Sequence, residues 1–207
     1  MALTGIFLIL FLTVHLAGNL QLLHDDGGKA FNVYAEFMGT NPLIQFVSKG
    51  NFALIVVHII WAIALTRKNR EARGVQGYAI PNKKSAWASR NMAILGFLIL
   101  IFLVIHIQNF YYKAHFGSLP MQTYDGKEVR DLYAEVVFIF SQGWYVALYV
   151  VCMIGLAFHL WHGFASAFQT LGLNHVKYNP VINFVGKAYA IIVPLLFAYI
   201  PLRMFFF

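Results

Sequence analysis

Charge is scarce in this chain. Of 207 residues, 8 are Asp or Glu and 15 are Lys or Arg, so charged residues make up 11%, against about 25% in soluble domains. That is too little to cover a water-exposed surface. Cysteine is nearly absent: Cys152 stands alone inside an apolar run, which excludes a disulfide framework, a thiolate zinc site and an iron–sulfur cluster built from this chain. There is no dinucleotide fingerprint of spaced glycines, no internal repeat and no low-complexity tract. Apolar and polar residues do not alternate strictly, which argues against membrane barrel strands. The net charge of +7 would suit nucleic acid, but the basic residues cluster beside apolar runs, where membrane topology accounts for them. No nucleic-acid partner is expected.

What the chain has in abundance is apolar length. Hydrophobic residues make up 60% of it, and its mean hydropathy is +0.67. A helix needs about 20 mainly apolar residues to cross a hydrocarbon core, and five stretches qualify: Ala2–Leu23, Leu43–Thr66, Ala88–Tyr112, Val136–Phe168 and Val181–Met204. The expected fold is an all-α membrane protein, five transmembrane helices in one bundle over residues 1–207. The fourth stretch is longer than a crossing needs, so it is expected to project beyond the bilayer or to tilt. The first lacks a basic start and exceeds the apolar length of a signal peptide, so it reads as a retained span.

The connecting segments set the direction. Residues 67–90 hold Arg67, Lys68, Arg70, Arg73, Lys83, Lys84 and Arg90 against Glu71, and Lys177 and Lys187 follow the fourth span without acids. The first connection carries Asp25, Asp26 and Glu36 against Lys29; the third carries Asp125, Glu128, Asp131 and Glu135 against Lys113, Lys127 and Arg130. Basic loops stay cytoplasmic, which puts the N-terminus inside and the C-terminus outside. Lys49 and Arg203 lie near span ends and can snorkel to the interface. In the first connection, residues 30–38 read as a short amphipathic helix stopped before Asn41-Pro42. The third, with Gly117, Pro120 and Gly126, reads as irregular or a short turn region.

A histidine falls within each of the first four spans: His15, His58, His106 and His159. A single intramembrane histidine can stay neutral and bond a neighbouring helix, although ionisable groups at such depth point first to function. Their depths group them. His15 and His106 fall roughly 9–12 Å below the outer edge, and His58 and His159 roughly 13 Å from the inner one, at 1.5 Å per residue. Odd spans thus bring one pair near the outside and even spans another near the inside. Two neutral imidazoles facing one another from different helices suit the axial positions of a haem iron, and bundle cores build cofactor sites this way. With one cysteine there is no Cys-x-x-Cys-His attachment, so such a haem is noncovalent and b-type. Zinc or copper fits less well, because two ligands per layer leave a tetrahedral ion short. A proton relay lacks carboxylates within the spans. Gly155, His159 and Gly163 recur on one face of the fourth span, and Gly18 lies one turn after His15. These glycines either leave room for a large flat ligand or serve close helix packing.

Three stretches carry a resemblance. They are Thr4-Gly5-Ile6-Phe7-Leu8 through Val14-His15-Leu16-Ala17-Gly18-Asn19-Leu20-Gln21; Ser89-Arg90-Asn91-Met92 leading to Ile105-His106; and Phe158-His159-Leu160-Trp161-His162-Gly163-Phe164 with Ser166 and Gln169. In this order, and over essentially the entire chain, the sequence resembles the dihaem cytochrome b subunit of bacterial succinate dehydrogenase/fumarate reductase, in its single-subunit five-helix form. The resemblance implies two haem b groups, the distal one held by His15 and His106 and the proximal one by His58 and His159. It implies a flavoprotein subunit and an iron–sulfur subunit docked on the cytoplasmic face, with electrons passing by way of the haems to or from menaquinone in the bacterial inner membrane. It leaves room for homo-oligomers of the whole complex. By position, Glu36 matches the acidic residue that serves menaquinol in the family. Haem propionates need donors at each surface; Ser89, Arg90 and Gln169 are the inner candidates and His24 the outer one. His162, one turn from His159, is an alternative ligand that fits the family position less well. His115 and His175 lie outside the core. The first span begins almost at Met1, without the basic lead usual in such proteins, so either the beginning is shortened or the inner loops alone set topology.

The residues themselves leave two other readings open. One is the dihaem cytochrome b of another respiratory enzyme, such as a hydrogenase or formate dehydrogenase. The other is a haem-free transporter or scaffold whose histidines only make hydrogen bonds.

Overall fold

The computed structural model describes residues 1–74 and 87–207; Lys83 and Lys84 of the basic segment lie outside the described residues. Five helices are long and apolar enough to cross a membrane, and the protein is an all-α, multi-pass membrane bundle. Helices prevail because the bilayer offers backbone groups no water, so each span must satisfy its own N–H and C=O groups. The first crossing is α1 (Ala2–Asn19), tightened into a 3₁₀ turn over Leu20–Leu23. A short surface helix follows, α2 (Lys29–Thr40). Next comes α3 (Pro42–Arg73), started by Asn41, whose side chain accepts from the Leu43 and Ile44 amides, with Pro42 in the first turn. The third crossing consists of α4 (Trp87–Arg90), α5 (Met92–His106), a π-helical stretch over Ile107–Tyr112 and α6 (Lys113–Phe116). The last two crossings are α8 (Gly143–Thr170) and α9 (Asn179–Phe206).

The structure differs from the sequence expectations in four places. The third connection is not irregular: β1 (Met121–Tyr124) and β2 (Lys127–Arg130) form an antiparallel hairpin. Asp125 and Gly126 both have positive φ (53° and 78°), the backbone that a tight two-residue hairpin turn demands. The fourth stretch is not one continuous helix. It breaks at Ser141-Gln142 into α7 (Leu132–Phe140) and α8, with Asp131 capping α7 by accepting from the Ala134 amide. Ser141-Gln142-Gly143 marks the break between two otherwise apolar pieces. The second helix runs on to Arg73, because Arg, Lys and Glu are good helix formers; the segment Arg67–Arg73 is mostly exposed. Finally, Lys187 belongs to α9 rather than to a loop, and its ammonium lies 5.5 Å from the centre of the Trp161 ring.

The bundle core centres on α8, which contributes the most buried side chains, among them Val146, Tyr149, Cys152, Met153, Leu156 and Leu160. Ala190 of α9 packs against its middle, and Ile200 of α9 joins Val136, Ile139 and Phe140 of α7 at one end. The second crossing, α3, stands at the other extreme: Asn51 is its one buried residue, and Phe46, Val56, Ile60 and Trp61 face outward, as lipid-facing side chains do. The hairpin, α2 and α7 close over one end of the bundle. Arg67, Lys68, Arg70, Arg73, Arg90 and Lys177 lie toward the other, here called the basic end.

The hairpin end is fastened by polar contacts. Asn32 is fully buried (0% exposed). Its amide donates to Asp131 at 2.8 Å and to the Tyr124 hydroxyl at 3.2 Å, while its oxygen accepts from the Tyr133 amide. Among the described residues this end also holds the ion pairs Lys29–Asp125, Lys113–Glu135, Arg130–Glu36 and Arg203–Asp25.

Candidate functional site

The hairpin-end pair is brought together. The rings of His15 on α1 and His106 at the end of α5 have centroids 5.7 Å apart and nearly perpendicular planes (88°). Imidazole nitrogens bind a first-row metal at about 2 Å, with the ring centre roughly 1 Å behind, so two rings on opposite sides of one ion have centres about 6 Å apart. The spacing fits. Aromatic rings box the pair in: Phe11 stacks on His15 at 5.3 Å and Phe197 lies at 5.7 Å, while Phe102 and Phe110 flank His106 at 5.5 and 5.3 Å. Asn19 places its amide nitrogen 3.4 Å from both nitrogens of His15 and donates to the His15 carbonyl at 2.8 Å. An atom equidistant from both ring nitrogens lies along neither lone pair, so that side chain leaves the ring's in-plane bonding free. The Tyr149 hydroxyl stands 3.4 Å from His106 Nδ1.

Both rings line a cavity of about 770 Å³ that runs between α1, α3, α5 and α8 toward the hairpin. Cofactor pockets span about 300–1,000 Å³. The wall near the histidines is apolar and aromatic. Toward the hairpin it becomes polar, with Gln45, Ser48, Lys49, Asn51, Glu36 and Arg130. Asn51 Oδ1 is buried without a hydrogen-bond partner. Arg130 donates from Nε to Glu36 at 3.1 Å and from Nη1 to the Ala114 carbonyl at 2.6 Å. The Glu36 carboxylate is thereby held at the cavity rim, on α2. Tyr34, another lining residue, has its phenol pushed up by burial. His115, exposed and stacked on Tyr111 at 4.1 Å, also lines this mouth; it lies outside the core, as its position in the sequence suggests.

The basic-end pair has different surroundings. His58 Nδ1 lies 2.9 Å from Thr4 Oγ1, across the α1–α3 contact. His159 Nδ1 is buried and has no hydrogen-bond partner among the described residues. Neither ring lines the 770 Å³ cavity. Their Cε1 edges rest over glycines of facing helices: a Cβ on Gly5 would lie 3.9 Å from His58, and one on Gly96 4.0 Å from His159.

The glycines read from the sequence do other work. A Cβ on Gly155 would come within 2.6 Å of Leu98, and one on Gly163 within 3.6 Å of Met92, so this face of α8 is a close-packing seam against α5. Gly18 seats the Tyr34 ring, which a Cβ would approach to 2.4 Å. The proposed propionate donors are scattered. His24 is exposed beyond α1 and does not line the cavity; Gln169 is exposed near the end of α8, and Ser89 and Arg90 sit in α4. His175 is exposed in the turn before α9. Sequence reading missed Arg130, Asn51, Gly5, Gly96 and the π-helical stretch. A carboxylate and an arginine on separate loops carry no spacing signal, but an Asp-Gly turn between alternating residues did mark the hairpin that delivers Arg130. The π-helical stretch begins at the residue after His106, and such widened turns concentrate at functional sites.

The donor set suits an iron porphyrin. Among the described residues no three His, Cys, Asp or Glu side chains cluster to hold an ion by themselves. One pair of imidazoles stands at the right separation on the wall of a room of the right size, and the second pair includes a buried ring nitrogen that lacks a partner. Most buried polar atoms have one. No protein-family model, curated protein or solved structure matches the chain.

Proposed function

We propose that this protein is the membrane-anchoring dihaem cytochrome b subunit of a succinate:quinone oxidoreductase, acting as succinate dehydrogenase or fumarate reductase in the bacterial inner membrane. The observation that carries the reading is the meeting of His15 and His106 from alternate crossings, 5.7 Å apart, on the wall of the 770 Å³ cavity. In this reading His15 and His106 hold the distal haem b, and His58 and His159 the proximal one. The haems supply one-electron transfer across the bundle. The basic end faces the cytoplasm, following the excess of Lys and Arg there, and docks the flavoprotein and iron–sulfur subunits. The chain has no flavin site or cluster cysteines of its own, so succinate chemistry belongs to those partners.

The rim of the cavity supports a quinone role. Menaquinone needs an apolar slot for its ring and a proton carrier beside it, because each two-electron step moves two protons. Glu36 offers a carboxylate at the cavity mouth, fixed by Arg130, where a proton released from quinol can pass to the surface.

The test is direct. The full chain, purified from membranes and reduced with dithionite, is expected to show b-type absorption bands and two noncovalent haems per chain. A preparation made with ample haem supply that shows no such bands overturns the proposal.

A further inference from the structure

The hydroxyl of Thr4 has one proton, and the structure shows where it goes. Thr4 Oγ1 donates to the Met1 carbonyl at 2.8 Å, a carbonyl that also accepts from the Gly5 amide through its second lone pair. Hydroxyls of Thr commonly bond back to a carbonyl three or four residues earlier. The same oxygen lies 2.9 Å from His58 Nδ1. With its own proton committed, Thr4 can only accept there, so the ring nitrogen is the donor and Nδ1 carries the hydrogen of the neutral imidazole. The lone pair of His58 is then on Nε2. Gly5, the next residue of α1, lets the helix approach the Cε1 edge of the same ring with only van der Waals contact. Two consecutive residues of α1 thus seat the imidazole, one by chemistry and one by space.

We infer that Thr4 is a positioning residue: it fixes the His58 tautomer and ring orientation so that the Nε2 lone pair is left free to serve as a metal ligand. This rests on the haem reading given above. It makes the basic-end layer asymmetric, because His58 has a fixed second bond and His159 Nδ1 has none. Partners of this kind orient and strengthen a ligating histidine, and their loss typically weakens metal binding about 10- to 100-fold.

Two measurements on the full chain test it. The first compares Thr4→Val, which keeps the shape and removes the hydroxyl, with Thr4→Ser, which restores it. Thr4→Val is expected to retain the basic-end haem about 10- to 100-fold less firmly and to shift its midpoint potential, leaving the His15–His106 haem as an internal control; Thr4→Ser is expected to behave as the parent. Wild-type haem retention and potentials in Thr4→Val, or equal damage in both variants, overturn the inference. The second leaves Thr4 unchanged and needs no haem. Nitrogen-15 NMR of the imidazoles in the haem-free chain, assigned with His58→Gln, is expected to find the His58 proton on Nδ1; a proton on Nε2 overturns the inference. A parent chain that takes up no haem at all would instead defeat the reading on which it rests.

Discussion

The two histidine pairs lie in one bundle but are built by different means. The hairpin-end pair sits in a room made by side chains of many elements, closed by loops that are themselves ordered by the buried Asn32–Asp131 network and by ion pairs. The basic-end pair sits at helix seams, where its environment is set by single atoms: a threonine hydroxyl for His58, glycine for the approach of both rings, and nothing for His159 Nδ1. A room tolerates changes in its walls as long as its volume survives. A seam does not, because interiors are close-packed and one added carbon is felt. The hairpin end is therefore expected to be sensitive to losses in its loop scaffold, and the basic end to small changes in its helices.

The strongest way to break this comparison is to remove ligands one at a time. His106→Ala is expected to abolish the haem beside the cavity while sparing the other, and His58→Ala to do the reverse; haem quantitation with a redox titration reads both. Loss of a single shared centre from both variants would merge the two layers into one. Next in size is Glu36→Gln. Proton transfer by a positioned group contributes typically about 10²–10⁴-fold, so menaquinol turnover is expected to fall by about 100-fold with both haem spectra intact. An unchanged rate would take the proton path away from this rim.

Smaller effects sharpen the contrast between room and seam. Asn32→Ala leaves the Asp131 carboxylate and the Tyr133 amide short of partners, at a cost of about 1–3 kcal/mol for such buried groups; the melting temperature should drop, with the cavity-side haem released first on heating. At the seams, Gly155→Ala forces a carbon to 2.6 Å from Leu98, whereas Gly163→Ala meets Met92 at 3.6 Å, an ordinary contact. The first is expected to cost about 1–3 kcal/mol as overpacking does, and the second almost nothing. Equal melting curves for the two would mean that the terminal methyl of Leu98 turns aside without cost.

How much of this could be read beforehand follows from where the information lies. The crossings were legible because a bilayer demands long apolar runs, and the meeting of His15 with His106 followed from counting residues to the span ends. The break at Ser141-Gln142 went unread because its local sign, Ser141-Gln142-Gly143, is short and lies between two apolar runs. The hairpin carried a local sign, Asp125-Gly126, but it sat among residues too polar to resemble a sheet core. The roles of the glycines were ambiguous for a deeper reason. A missing side chain announces a close approach without saying what approaches, and Gly18, Gly155, Gly5 and Gly96 receive a tyrosine, a leucine and two histidines in turn. Arg130 was invisible as a site residue because its partner Glu36 lies far away along the chain.

The widened turn over Ile107–Tyr112 has one more implication. A helix advances by about 100° per residue, so the extra residue it accommodates resets the angular phase of everything that follows. Deleting one position there would restore ordinary winding and swing Tyr111 and Ala114, which now face the cavity, about a quarter-turn away, while His106 upstream kept its place. The stretch acts as a phase joint between the half of the third crossing that carries His106 and the half that reaches the surface. Evolution or design could retune the mouth of the cavity through it without disturbing the ligand behind.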